Sequence, residues 1–116
     1  MPNFMLLLHS EPGAFMQLSP EEMQKALEKF MAWRNMPITR DGHRLTDDPG
    51  RVMRTVGGQV RTTDGPYSET KEVLGGYFMI EAPTYDDAVG HSRDCPHLEY
   101  GGTIELRQID PMVGSA

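Results

Sequence analysis

Two helix starts, each written in capping residues and each flanked by β-prone runs, set most of what this chain can become. At Ser19-Pro20-Glu21-Glu22 the serine is placed to cap, proline takes the first helical position and Glu22 completes a capping box. Met23, Ala26, Leu27, Phe30, Met31 and Trp33 follow as the apolar stripe of that helix and are read as core. Pro37 ends it at Asn35 or earlier. At Thr84, with Asp87 three residues on, a second and shorter helix opens, with Tyr85, Ala88, Val89 and Ser92 as its inner face. Cys95-Pro96 stops it.

Strands occupy the rest. Phe4 to His9 is an unbroken apolar run closed by the turn cluster Glu11-Pro12-Gly13, a pattern that suits a strand covered on both faces. Ile38 to Leu45 is the least regular segment and predicts a short strand around His43-Arg44-Leu45. Val52 to Val56 and Gln59 to Thr63, separated by Gly57-Gly58, predict a hairpin with a primed turn. A strand over 76–82 ends at Pro83, and a last one over Thr103 to Ile109 alternates, with Ile104 and Leu106 on one face and Thr103, Glu105 and Arg107 on the other. The order is that of an α+β chain on the ferredoxin-like split βαβ plan, with a β-hairpin inserted before the third core strand. We expect one domain over 1–110 and a C-terminal tail over 111–116.

Between hairpin and third core strand lies the most turn-rich stretch, from Asp64-Gly65-Pro66-Tyr67 to Gly75-Gly76-Tyr77. Gly65 is expected to supply a positive φ, and Gly75-Gly76 to allow a bend or a close backbone approach as the strand begins. The pattern predicts a shaped loop at the mouth of a sheet.

With a net charge of −6 and no run of Lys or Arg, the chain does not have the basic patch that nucleic acid requires. Its single cysteine, Cys95, permits no internal disulfide and fits a reducing compartment. The apolar run near the N-terminus is too short for a secretion signal or a membrane span. These features predict a soluble cytoplasmic protein without nucleic-acid or membrane partners. Both helices should cover one sheet face. The other would carry Met5, Leu7, Tyr77 and Met79 beside Glu105 and Arg107, too apolar to stay bare, which predicts a homodimer closed through that face.

From Asp64-Gly65-Pro66-Tyr67 the chain resembles the YCII-related (YciI-like) family, in the branch named for an Asp-Gly-Pro-Phe (DGPF) motif, with Tyr67 in place of Phe. The Met-Leu-Leu-Leu-His opening at 5–9, Ser-Pro-Glu-Glu at 19–22, Thr-Asp-Asp-Pro-Gly-Arg-Val at 46–52 and Tyr-Gly-Gly-Thr-Ile-Glu-Leu-Arg at 100–107 carry the resemblance across nearly the whole chain. It implies a dimeric α+β barrel and little about activity. Residues 33–45 are a few residues shorter than the family pattern, at the second strand. Residues 19–35 hold no histidine, so the His–Asp pair of the YciI-like branch, with its histidine on the first helix, does not carry over.

Among residues suited to chemistry, His9 and Asp64 are the catalytic candidates, and Tyr67, Tyr77, Glu81, Glu105 and Arg107 the ligand-binding ones. The first and third core strands are expected to run parallel as neighbours. That would set His9 near Glu81, with Glu105 along the last strand as a second carboxylate able to orient it. Asp64, Tyr67 and Glu69 would then fall toward the opposite rim, with Arg107. Each has an ordinary structural alternative: a strand-end hydrogen bond for His9, a turn cap for Asp64, an ion pair for Arg107. His91, Cys95 and His97 match no standard zinc spacing, and neither a metal nor a cofactor is expected. Two functions are consistent with this. One is a pocket on the open sheet face that binds a small polar or anionic molecule, with cofactor-free acid–base catalysis as its enzymatic form. The alternative is a non-catalytic dimeric accessory or regulatory module for ligand sensing or protein binding, to which the family resemblance adds sigma-factor association as one form.

Overall fold

In the computed structural model, which describes residues 1–65 and 72–112, four strands form one antiparallel sheet with helices on one side. The strands are β1 (Asn3–Ser10), β2 (Thr39–Arg44), β5 (Val73–Glu81) and β6 (Thr103–Gln108), in the order β2-β5-β1-β6. A separate two-stranded hairpin, β3 (Arg51–Val56) and β4 (Gln59–Asp64), comes between β2 and β5 in sequence. The helices are α1 (Pro20–Arg34), α2 (Tyr85–Ser92) and the four-residue α3 (Pro96–Glu99), with a single 3-10 turn at Ala14–Gln17.

The helix starts form as the sequence predicts. Ser19 accepts from the Glu22 backbone N–H at 3.1 Å, and the Glu22 carboxylate accepts from the Ser19 N–H at 3.2 Å, closing the capping box. Thr84 accepts from the Asp87 N–H at 3.2 Å. Strand β2 is longer than expected, starting at Thr39, where Thr39 Oγ1 donates to the Trp33 carbonyl at 2.9 Å and ties strand to helix end. The short α3 was not foreseen; Pro96 stops α2 as expected but also occupies the first turn of the new helix.

The core lies between the helices and one sheet face. Phe4, Leu6 and Leu8 of β1 and Phe78 and Ile80 of β5 are buried there with Trp33, Ala82, Ala88 and Cys95. Trp33 lies tilted on Phe78 with centroids 4.9 Å apart, and Tyr85 meets Phe4 edge-on at 4.8 Å. The alternate residues of β1, expected to be covered as well, stay half-buried, because no described helix lies on that side. Burial desolvates the Cys95 thiol and pushes it up to about 11, which keeps it protonated and poorly nucleophilic at neutral pH.

One expectation about strand direction is corrected. Strands β1 and β5 are neighbours but antiparallel, pairing Asn3 with Glu81 and Ser10 with Val73. Two strand–helix–strand crossovers that each skip one position leave every neighbouring pair antiparallel. The reversal moves Glu81 to the far end of the sheet from His9 and brings the start of β5 beside His9 instead. Arg107 pairs with Met5, also away from His9.

The hairpin turn is the primed type: Gly57 and Gly58 have φ of 58° and 79°, and Val56 pairs with Gln59. Gly65 behaves differently from expectation, since its φ is not positive. It is needed for closeness: its N–H donates to Gly50 O at 3.1 Å, and a Cβ there would run into the Pro49 carbonyl. Pro66 and Tyr67 lie outside the described residues. Gly65→Ala should therefore destabilise the chain by about 1 kcal/mol or more. Gly90→Ala, with open space around it inside α2, should stabilise by about 0.5–1 kcal/mol. Urea titrations of both variants check this contrast, and a neutral Gly65→Ala would remove the close-approach account.

Candidate functional site

The helical stripe is where packing departs from the sequence reading, and the departure makes a cavity. Ala26 and Trp33 are buried, but Leu27 and Met31 remain 39% and 55% exposed. They face a hollow of about 1090 Å³ between α1 and the sheet rim formed by the end of β1 and the start of β5. Leu8, Phe30 and Phe78 contribute further apolar wall, and Leu45 and Leu74, also exposed, border the opening. Glycines set its floor. A Cβ at Gly42 would lie 2.5 Å from the Phe78 ring, and one at Gly76 would lie 2.7 Å from the His43 carbonyl, so β2 and β5 could not sit as they do with larger residues.

Two histidine–carboxylate pairs stand at this rim. His9 Nε2 lies 3.1 Å from Glu105 Oε1 across the β1–β6 pairing. His43 Nε2 lies 3.2 Å from Asp41 Oδ1 on β2. His9, His43 and Tyr77 belong by register to the sheet face that the helices leave open, yet they border the cavity too. The cavity therefore reaches the strand ends, where the two faces meet.

Asp41 is the hub of the second pair. It accepts from Tyr77 Oη at 2.9 Å and from the Gly42 N–H at 2.9 Å, and Arg34 Nη2 stands 4.0 Å away. The Tyr77 hydrogen bond, then the Gly42 one, holds the Asp41 carboxyl below its usual range. The same bond raises the Tyr77 phenol above its own. Arg34 is held by its Nε, which donates to the Gly42 carbonyl at 2.8 Å. The sequence reading selected Tyr77 and missed Asp41, His43 and Arg34. The segment 38–45 is the least regular of the sequence, and only its pairing with β5 brings Asp41 beside Tyr77.

Beneath His9 lies His97, 5% exposed, whose Nε2 donates to the His9 carbonyl at 2.8 Å. A Cβ on Gly102 would collide with its ring, so the loop before β6 holds this imidazole in place. The bond meets β1 beside the irregularity at Leu8/His9, where Gly75 is passed over in the pairing.

The remaining candidates are dispersed. Glu81 accepts from Arg40 Nη2 at 2.6 Å, and that bond keeps its carboxyl low. Asp64 ends β4, 80% exposed, with Arg51 Nη1 at 3.5 Å, and does not border the cavity. Arg107 Nη1 reaches Glu105 Oε2 at 3.4 Å, so Glu105 faces His9 on one side and Arg107 on the other. Tyr67 lies outside the described residues. Among the described residues no three His, Cys, Asp or Glu side chains form a group able to hold a metal. No described helix is long and apolar enough to cross a membrane.

The Asp41–Tyr77 bond has a pH signature. Asp41, lowered on folding, contributes stability that is present above its unfolded value and lost as pH falls through the folded one. Tyr77, raised, contributes below its unfolded value and loses it as pH rises through the folded one. The bond is thus whole between roughly pH 4 and pH 10. Tyr77→Phe should lower the urea midpoint at pH 7, and its difference from wild type should shrink on going to pH 3. A difference that is constant across that range would remove the linkage.

Comparison with known proteins matches residues 3–113 to the YCII-related domain. An uncharacterised protein of Rhizobium meliloti (strain 1021) is similar, 33% identical over 59 residues, which span 50% of this chain and 48% of that protein. The matched segment thus covers about half the length of that relative. With the family match extending over nearly the full length and the α+β architecture in place, the chain belongs to the YCII-related family.

Proposed function

We propose that this protein binds a small molecule with an apolar body and a polar head in the rim cavity, and that His9, oriented by Glu105, exchanges a proton with it. The observation that carries the reading is the pairing of a half-exposed apolar wall with two histidines on the same hollow, each beside a carboxylate. A volume of about 1090 Å³ is at the upper end of small-molecule pockets, which combine apolar walls with a few convergent polar groups. If the Nε2 hydrogen is shared with Glu105, Nδ1 is left as the acceptor, the arrangement of a general base. His43 with Asp41, and Tyr77 donating to that same Asp41, offer a second polar anchor across the rim. The sequence reading put the pocket on the open face; the rim cavity supports a site one step over the strand ends, sharing His9, Tyr77 and Glu105 with it. A roomy hollow also favours ligand binding over a purely accessory module, for which a shallow, filled surface is the expectation.

We also propose that the sheet order follows the ferredoxin-like plan and that a second copy closes the open face as a dimeric α+β barrel. Support comes from Met5, Leu7, Tyr77 and Met79, which lie side by side there by register and are only half-buried. The function is testable by thermal melts against a metabolite library. A ligand at 100 times its Kd adds about 2.7 kcal/mol, which is several degrees in Tm for a chain of this size. Met31→Trp, which narrows the cavity, should reduce the shift. His9→Gln should keep the shift and lose turnover. Arg107→Lys, off the cavity, should keep both. A ligand whose shift is unmoved by Met31→Trp would refute the site.

A further inference from the structure

The hairpin β3–β4 is the part of the molecule with the least reason to hold together alone. Every side chain along both strands is exposed except Val52, which is half-buried. Met53 is 67% exposed, Val60 64% and Val56 51%. A two-stranded ribbon without a covered face is marginal in water. It also makes the chain extended: the radius of gyration is 16.0 Å, against about 13 Å for a compact domain of this length.

Its charge is opposite to that of the body. Residues 51–64 carry three arginines and one aspartate, a net +2 on a chain of net −6, so the remaining residues carry −8. Arg54 and Arg61 sit directly opposite each other on one face, flanked by Val52 and Val56. The arm as a whole therefore offers net positive charge to an acidic surface laid against it.

We propose that this hairpin is an arm that docks on the acidic body of a second copy of this chain, each copy embracing the other. The inference rests on the homodimer reading and adds the contact that completes it. At ordinary strand spacing and rise a four-stranded face has a footprint of only about 19 Å by 24 Å per copy, so contact beyond the sheet adds to the area on which a stable interface depends. Two reciprocal arms, each with six-residue strands about 20 Å long, add contact on both sides of the two-fold axis. The charge difference selects a second copy as the occupant, because each copy presents both the basic arm and the acidic body.

The test is sedimentation velocity across 0.1–100 μM on the full chain, on Arg54→Glu/Arg61→Glu and on Met53→Ser/Val60→Ser. Wild type is expected to be a dimer, with a dissociation constant raised at least tenfold by the charge reversal and raised also by 0.5 M salt. The serine variant is expected to weaken the dimer without a salt dependence of its own. Far-UV circular dichroism and the urea midpoint of dilute protein report whether each variant still folds. A wild-type monomer overturns both the arm and the dimer. A wild-type dimer whose dissociation constant is unmoved by either variant overturns the arm alone and leaves the sheet-face dimer standing. Arginines that bind a DNA duplex while leaving dimerisation unchanged also overturn it.

Discussion

The antiparallel pairing of β1 with β5 is the constraint on which the rest depends. It joins the two most apolar strands in register, so Phe4 and Leu6 meet Ile80 and Phe78 on one face and Met5 and Leu7 meet Met79 and Tyr77 on the other. The first set is buried by α1 and α2, and the second is left half-covered. Because the strands oppose each other, the end of β1 lies beside the start of β5, which is where the glycines and the turn-rich stretch enter. His9, the cavity and the His97 support all follow from that direction. In a parallel pairing His9 would have faced the Glu81 end, and no cavity with this lining would exist.

Capping chemistry made the helices legible, because a cap is local: Ser19, Glu22, Thr84 and Asp87 do in the fold what their spacing announces. The hairpin was legible for the same reason, since Gly57 and Gly58 are needed at positive φ whatever lies around them. Strand direction was not local, and the parallel assignment failed on connectivity rather than on any residue. Among the candidate residues, His9 was legible as the polar end of an apolar strand, Glu105 as a polar position of an alternating one, and Tyr77 as a polar head among apolar neighbours. Asp41 and His43 were not, because the short polar segment 39–44 has no apolar periodicity and becomes a strand only by pairing with β5. Gly65 was selected correctly for the wrong reason: its constraint is the Pro49 carbonyl, some fifteen residues away in sequence, and no local pattern encodes it.

The carboxylates fall into two groups by their partners. Glu81 with Arg40 and Glu99 with Lys29 are close ion pairs at 2.6 Å, the first half-buried on the glutamate side and the second exposed on both, where such a pair contributes little. Glu105 and Asp41 differ in having histidines as neighbours, and those histidines border a hollow. A carboxylate that faces an imidazole orients a proton; one that faces a guanidinium or ammonium on the surface mostly shapes solvation. Glu105 touches both His9 and Arg107, so the arginine can tune the pair from behind without entering the cavity.

The cavity itself is a consequence of what the sheet edge cannot carry. Gly42 is kept bare by the Phe78 ring and Gly76 by the His43 carbonyl, so at those two positions the sheet sends no side chain up to meet α1. Leu27 and Met31 then extend from the helix over empty floor. Fully covering a side chain of that size is worth roughly 1.5–3 kcal/mol, and the folded chain forgoes about half of it at two positions one helical turn apart. A helix turned to bury them would lift Trp33 from Phe78, where the rings are 4.9 Å apart in the core. The core therefore sets the helix's rotation and the glycines set the floor, and the uncovered leucine and methionine are what those two constraints leave over. An apolar ligand seated there would recover the burial that the chain alone cannot make.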